Sequence, residues 1–379
     1  MLSTIRLAVE ELNGQIDETV FLKIKESVIS SLRRIDQEKI KPSLDLSGGL
    51  DSGVLLGVSQ SNGIPFYAVN SLISPGVLDI ELSNIKRWIE VLPHGVNQIE
   101  ILPTSEEFGS IILDANFVNV ESVGILHIDK LAQAASAANS NLRIIGYGPD
   151  EFMTHPVSIK LVKLLTTEIL NPRHRKQLKN QLYRFLCHLP LPRFLLSPLV
   201  NKTIPIWYSD WVRETLVQSK LDIYRYQRNI DYQSELGNRQ YKTEFYQSRN
   251  LQLPLNDELS LKYGVSCYFP YLDENFVQLS HSLAVRRCLS RGQDIKFGFR
   301  QLMNDVLPET MQGDPQNEDF SNFNQLLFEQ LANTNEEYLE LYKQGFIDKK
   351  RFKDCAVENK IPANALARLH FHEKFLCSI

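Results

Sequence analysis

Ser43 to Gly63 reads SLDLSGGLDSGVLLGVSQSNG, and this stretch decides the fold. Its first four residues, Ser43 to Leu46, are short and partly apolar, as a buried strand is. Ser47 to Ser52 is a glycine-punctuated turn. From Gly53 to Ser59 the apolar residues Val54, Leu55, Leu56 and Val58 suit a helix entering a core. A strand, a glycine-rich turn and a helix in that order can aim backbone N–H groups and the positive helix end at an anion. Gly48 and Gly49 allow close approach or positive φ where a side chain would intrude. Ser47 and Ser52 add hydroxyl donors, and Asp51 adds a hard oxygen ligand for Mg2+ on phosphates. The stretch is not a G-x-x-x-x-G-K-[ST] loop, because no lysine stands in the equivalent place. The plainer reading of the same six residues is a tight Ser/Gly turn joining a strand to a helix.

Upstream, residues 16–34 place Val20, Ile24, Val28, Ile29 and Leu32 on one helical stripe, and Lys41-Pro42 breaks the pattern. Downstream, Pro65 to Asn70 reads as a second strand, Ile80 to Val91 as a helix and Asn97 to Leu102 as a strand. Residues 123–138 then read as a helix and Leu142 to Gly146 as a strand. Strands alternating with helices predict an α/β fold, a mostly parallel sheet with helices on both faces. From about residue 157 helical patterns dominate, including 273–307 and 324–345, with a basic stretch from Asn171 to Lys179 and a tyrosine-rich region at 222–250. The expected organisation is a helical extension at 1–40, an α/β core at 41–156, and a mostly helical region at 157–379 that completes a substrate pocket.

The chain has 379 residues, 43% apolar and 23% charged, enough for a sizeable core in one large α/β domain with additions or in two packed domains. A net charge of −4 gives no general drive toward nucleic acid or an anionic membrane. The run Arg173-His174-Arg175-Lys176 reads as a solvated helix face, and Tyr224, Tyr226, Tyr232 and Tyr241 read as packing residues. Cys187, Cys267, Cys288, Cys355 and Cys377 form no C-x-x-C pair and read as reduced thiols of a cytoplasmic protein. MLSTIRLAVEELNGQ at the amino terminus lacks a long apolar region, so no secretory signal is expected, and no apolar run approaches the ~20 residues that span a bilayer. His370 and His372 read as an incidental pair, and His155 as a local structural residue or a group facing substrate.

A second loop, Gly146-Tyr147-Gly148-Pro149-Asp150-Glu151, directly follows the Leu142 to Gly146 strand. In a parallel sheet both loops leave strand carboxyl ends, where ligands gather. Asp150 then becomes a second carboxylate for the same Mg2+, and Glu151 faces a reacting amine or carboxyl group.

The LSGGLDS run at Leu46 to Ser52 resembles the PP-loop of the asparagine synthetase family, whose relatives include β-lactam synthetases and lasso-peptide cyclases. Gly146 to Phe152, GYGPDEF, resembles the family's G-x-G-A-D-E-[LV]-F motif, with Pro149 at the usual alanine or serine and the alignment one residue shorter. Pro270-Tyr271-Leu272-Asp273 resembles P-F-L-D, and Lys296 to Pro308, KFGFRQLMNDVLP, resembles K-x-x-L-R-x-[AL]-x-x-x-x-L-P. The likeness covers roughly residues 20–310 in proper order.

The resemblance implies a PP-loop core of the adenine nucleotide alpha hydrolase kind, with ATP and Mg2+ as cofactors. It implies nucleotide contacts at Ser47, Gly48, Gly49, Leu50, Asp51, Ser52 and Gly148, and at Asn70 beside the adenine. Asp51 and Asp150 become the metal ligands, and Glu151 and Lys296 the catalytic groups. The implied reaction is adenylation of a substrate carboxylate, release of pyrophosphate, and transfer of the acyl group to an amine or ammonia.

The pattern departs from the family in four places. Residue 2 is Leu2 instead of a glutaminase cysteine, and fewer than 50 residues precede the loop. Nitrogen is therefore expected from ammonia, a substrate amine or a separate partner protein. No lysine of an R-x-K segment follows Pro308, and Cys267-Tyr268 stand where an arginine usually precedes P-F-L-D. Phe152-Met153-Thr154-His155 replaces F-G-G-Y. These changes point to a remodelled acceptor pocket and to amide formation in peptide or natural-product tailoring. The alternatives are an ammonia-dependent asparagine synthetase-like enzyme and a non-catalytic nucleotide-binding subunit.

Overall fold

The computed structural model describes residues 18–35, 39–73, 78–89, 97–100, 125–149, 153, 192–202, 204–229, 253–280, 297–306, 338–358, 361 and 363–378. Its centre is a five-stranded sheet of β1 (Pro42–Asp45), β2 (Ala68–Ile73), β3 (Asn97–Glu100), β4 (Leu142–Ile144) and β5 (Ser266–Tyr268). The order is β3-β2-β1-β4-β5 and every pairing is parallel. From β1 the chain moves outward to β2 and β3, then returns to place β4 on the opposite side of β1. That reversal opens a crevice at the carboxyl ends of β1 and β4, the usual ligand position in an open parallel sheet.

Helices α1 (Glu18–Arg33), α2 (Leu50–Ser61), α3 (Leu78–Ile89) and α4 (Ile125–Ala137) surround this sheet. The α1 stripe buries Phe21, Ile24, Val28 and Leu32 in the main core, with Ile29 packed at its margin. Leu44 of β1, Ile144 of β4 and Val54, Leu55, Leu56 and Val58 of α2 meet it there. Each such side chain contributes about 1.5–3 kcal/mol relative to exposure. A Cβ on Gly53 would lie 1.9 Å from the Trp88 ring, so α2 and α3 pack at a distance only glycine permits. The α/β architecture is thus present, as is the expected helical stripe at Ile24, Val28, Ile29 and Leu32, while the Val20 side chain lies outside those described.

Several boundaries differ from the sequence reading, β4 ending at Ile144 instead of Gly146 among them. α2 begins at Leu50, not Gly53, because extended Gly49 (φ −75°, ψ 169°) already serves as its N-cap. The second strand starts at Ala68, three residues after Pro65, where sheet pairing opens with Ser43 against Ala68. β5 was not foreseen: three residues carry too little periodicity to read as a strand.

Further along lie α5 (Arg193–Asn201), α6 (Asp210–Asn229), α7 (Glu274–Ser280), α8 (Phe297–Leu302), α9 (Leu339–Lys343), α10 (Lys349–Val357) and α11 (Ala363–Ser378). Among the described residues the predominantly helical texture expected there holds; most of the 222–250 and 324–345 stretches lie outside them. Leu196, Val200, Ile204, Val217 and Leu221 join α5 to α6. Trp207 joins residues of α9, α10 and α11 in a separate cluster. Glu373 of α11 accepts from the Glu340 and Leu341 amides at 2.8 and 2.9 Å, capping α9 from a distance in sequence. The basic run at 173–176, His155, Tyr224, Tyr226, Tyr232 and Tyr241, Cys187 and Cys288 lie outside the residues or side chains described. Cys267, Cys355 and Cys377 are not joined in disulfides. His370 is buried and His372 exposed, so the pair does not converge on one point.

The sheet face opposite Leu44 and Ile144 carries Ser43, Asp45 and Arg143, all buried. Arg143 donates from Nη2 to Asp45 at 2.5 Å, from Nε to the same carboxylate at 3.4 Å, and from Nη1 to Ser260 at 2.6 Å. Burial holds the Asp45 carboxyl above its usual range, and the adjacent guanidinium offsets only part of that rise. Removing one partner strands a buried charge. Arg143→Met or Asp45→Leu alone should therefore lower stability by about 3–5 kcal/mol, with the double variant recovering most of the loss. Urea unfolding at neutral pH measures both; additive losses would contradict a coupled pair.

Candidate active site

The first loop is shaped by glycine and closed by serine. Gly48 has φ 84°, in the left-handed region that glycine adopts without a Cβ clash. Ser52 Oγ accepts from the Ser47 amide at 3.1 Å and shares a 3.1 Å bond with Ser47 Oγ. Ser47 Oγ in turn accepts from the Gly49 amide at 3.2 Å. The two hydroxyls therefore brace the loop. The Leu50, Asp51 and Ser52 amides precede the first intrahelical bond of α2, from the Gly53 amide to Gly49, and sit at the positive helix end.

The second loop lies directly against the first. Ser43 and Leu44 of β1 pair with Arg143 and Ile144 of β4, so the chain emerges from both strands at the same height. A Cβ built on Gly146 would lie 2.8 Å from the Ser52 nitrogen and 3.0 Å from its Cα. Gly148, buried two residues on, has φ 136°. The ring of Tyr147 meets Phe269 edge-on at 6.4 Å.

β2 supports the first loop from the other side. The Leu46 amide donates to the Asn70 carbonyl at 2.8 Å, and the Ser71 hydroxyl donates to the Leu46 carbonyl at 2.7 Å. Asn70 is fully buried beside the loop, with its main-chain carbonyl engaged in sheet pairing.

Tyr271, which sequence reading left inside a motif without a role, is also part of this arrangement. Its ring is fully buried against Phe276 and Phe299, and its hydroxyl donates to the Asp51 carbonyl at 2.8 Å. Burial first, and the Asp51 charge second, hold this phenol well above its usual range, so it remains a neutral donor. The partners stand 220 residues apart, so no local pattern could have joined them. Nearby, Cys267 donates to Ser260 at 3.1 Å, and burial pushes its thiol up to about 11, leaving it protonated and unreactive at neutral pH.

The structure brings Ser47, Gly48, Gly49, Leu50, Asp51, Ser52, Asn70 and Gly148 to one end of the sheet. Asp150, Glu151 and Lys296 lie outside the described residues. The phosphates of a nucleotide fit here: a left-handed glycine, a helix amino end and a second glycine loop meet at this end of the sheet. Among the described residues no three acidic, histidine or cysteine side chains converge as a metal cage. Mg2+ held by one or two carboxylates together with phosphate oxygens needs no such cage, and half-buried Asp51 in the first turn of α2 suits that role.

Gly146→Ala should force the loops apart, cost about 1–3 kcal/mol of stability, and weaken ATP binding. Gly63→Ala, where a Cβ meets nothing within 4 Å, should leave ATP binding unchanged. Calorimetric titration with ATP compares the two; wild-type affinity in folded Gly146→Ala would contradict the close-contact requirement.

Comparison with curated proteins found no match. Among the described residues no helix is long and apolar enough to cross a membrane. Comparison with protein-family models matched asparagine synthase over residues 23–370. That span includes both loops, all five strands and most of the helical region. By this match the chain belongs to the asparagine synthase family, the ATP-dependent, asparagine-synthetase-like carbon–nitrogen ligases.

Proposed function

We propose that the chain adenylates a substrate carboxylate, releases pyrophosphate and passes the acyl group to ammonia or an amine, as an asparagine-synthetase-like ligase. The observation that carries this reading is the meeting of two glycine loops at the sheet reversal, in a chain that matches the family over 23–370. The family match favours the asparagine-synthetase-like form of the reaction over dedicated peptide or natural-product tailoring, for which no separate observation speaks.

A carboxylate is a poor electrophile, and the adenylate supplies a good leaving group. Gly48, Gly49 and the Leu50, Asp51 and Ser52 amides would take up charge developing on pyrophosphate, from donors already held in place. Asp51 and Asp150 would hold Mg2+, which supplies Lewis-acid stabilisation of phosphate oxygens when bound. Asn70, beneath the loop, would border the adenine. Glu151 would orient the nitrogen nucleophile and take its proton, since only the neutral amine attacks. Lys296 would supply positive charge during acyl transfer.

We assign 41–156 to the ATP-binding core, 1–40 to a helical extension, and 157–379 to the region completing the substrate pocket. That last region also lends β5 to the sheet. Ammonia, a substrate amine and a separate protein are the candidate nitrogen sources.

Incubation with Mg-ATP, ammonium and candidate carboxylates, including a peptide extract from the host, tests the reading. Carboxylate-dependent AMP and pyrophosphate are expected, with Asp51→Ala reducing turnover on the order of 10²–10³-fold, the range for loss of one preorganised group. Amide formed with ammonium supports the synthetase-like form, whereas amide formed only from the extract supports tailoring. ADP and phosphate would overturn the mechanism. ATP binding without turnover would favour the non-catalytic subunit.

A further inference from the structure

We infer that Tyr271 is a positioning residue for Asp51, acting through the hydrogen bond from its hydroxyl to the Asp51 carbonyl. The inference rests on the reading of Asp51 as a metal ligand and adds the group that fixes it. A carboxylate at the second residue of a helix can swing with the fraying first turn, where intrahelical bonds are few. Here the main chain of that residue is held from outside the helix, at 2.8 Å, by a hydroxyl on a fully buried ring. The Asp51 carbonyl also lies within the α2 ladder, so the phenol is an added donor and not its sole support.

The tyrosine is itself anchored. It sits in a 3-10 turn, Pro270–Leu272, between β5 and α7, with Phe276 and Phe299 against the ring at centroid distances of 5.1 and 5.7 Å. Helix α1 grips the same turn with polar groups. Ser31 Oγ donates to the Pro270 carbonyl at 3.3 Å and lies 2.6 Å from the Tyr268 hydroxyl. Arg34, the residue just past α1, pairs with Asp273 at the turn's end. A continuous set of contacts thus runs from α1 through the turn to the backbone of Asp51. Position 271 needs only an aromatic ring for packing; the hydroxyl is the part that reaches the phosphate loop.

Tyr271→Phe removes that one oxygen, keeps the ring and leaves the Asp51 carbonyl its helical partner, so the fold should be retained. Mn2+ binding to the full-length chain with saturating ATP, followed by electron paramagnetic resonance, reads the metal site without requiring turnover. Tyr271→Phe should weaken Mn2+ binding by about 3- to 10-fold, the size expected for one neutral hydrogen bond. ATP affinity measured without metal should change less. Asp51→Asn, measured alongside, should lose most Mn2+ affinity. Wild-type Mn2+ affinity in Tyr271→Phe, with loss in Asp51→Asn, would overturn the positioning role and leave the metal-ligand reading standing. Wild-type affinity in Asp51→Asn would overturn that reading and this inference together. An equal drop in metal-free ATP affinity in Tyr271→Phe would show general loop loosening and would also overturn it.

Discussion

Two loops meet across the carboxyl ends of β1 and β4 only if one brings no side chain to the contact, and Gly146 against Ser52 meets that condition. Parallel pairing of β1 with β4 sets the loops at one height, and the missing Cβ lets their backbones touch. The result sets the amide-bearing amino end of α2 beside the second glycine loop. Such a surface suits a polyanion, because fixed N–H dipoles stabilise charge without having to reorganise when it develops.

The elements around the crevice hold this contact in place from both faces of the sheet. On one face α1 and α2 bury an apolar cluster against Leu44 and Ile144. On the other, the Asp45 carboxylate ends β1 one residue before the loop region, while Arg143 stands three residues before Gly146. Their buried pair, extended to Ser260 on the helical stretch at 253–262, ties the two loop-bearing strands to a third element. A carboxylate and guanidinium removed from water are costly to separate, so this pair favours one relative placement of the strands.

Much of this was legible in the sequence because the governing signals are local. The strand, glycine turn and helix at Ser43 to Ser59 announced themselves by composition, and alternating strands and helices announced the parallel sheet. The α1 stripe was equally plain, since Ile24, Val28 and Leu32 recur at helical spacing. What escaped reading was long-range. β5 is too short for a pattern, and its place depends on pairing with Leu142 to Ile144 far upstream. The role of Tyr271 is a single hydroxyl reaching a carbonyl 220 residues away. Asp45 and Arg143 each look misplaced in a buried strand until the fold brings them together. At the proposed site, the residues of the first loop and Asn70 do lie together at one end of the sheet, whereas Asp150, Glu151 and Lys296 lie outside the described residues and rest on motif resemblance.

The most direct measurement is a crystal structure of the full-length chain with Mg2+ and a non-hydrolysable ATP analogue. The predicted result places the β- and γ-phosphates within hydrogen-bond distance of the Gly48 to Ser52 amides, between that loop and Gly146 to Gly148, with a metal on Asp51. A nucleotide bound away from the β1–β4 crevice, or one whose phosphates point away from the amino end of α2, would contradict it.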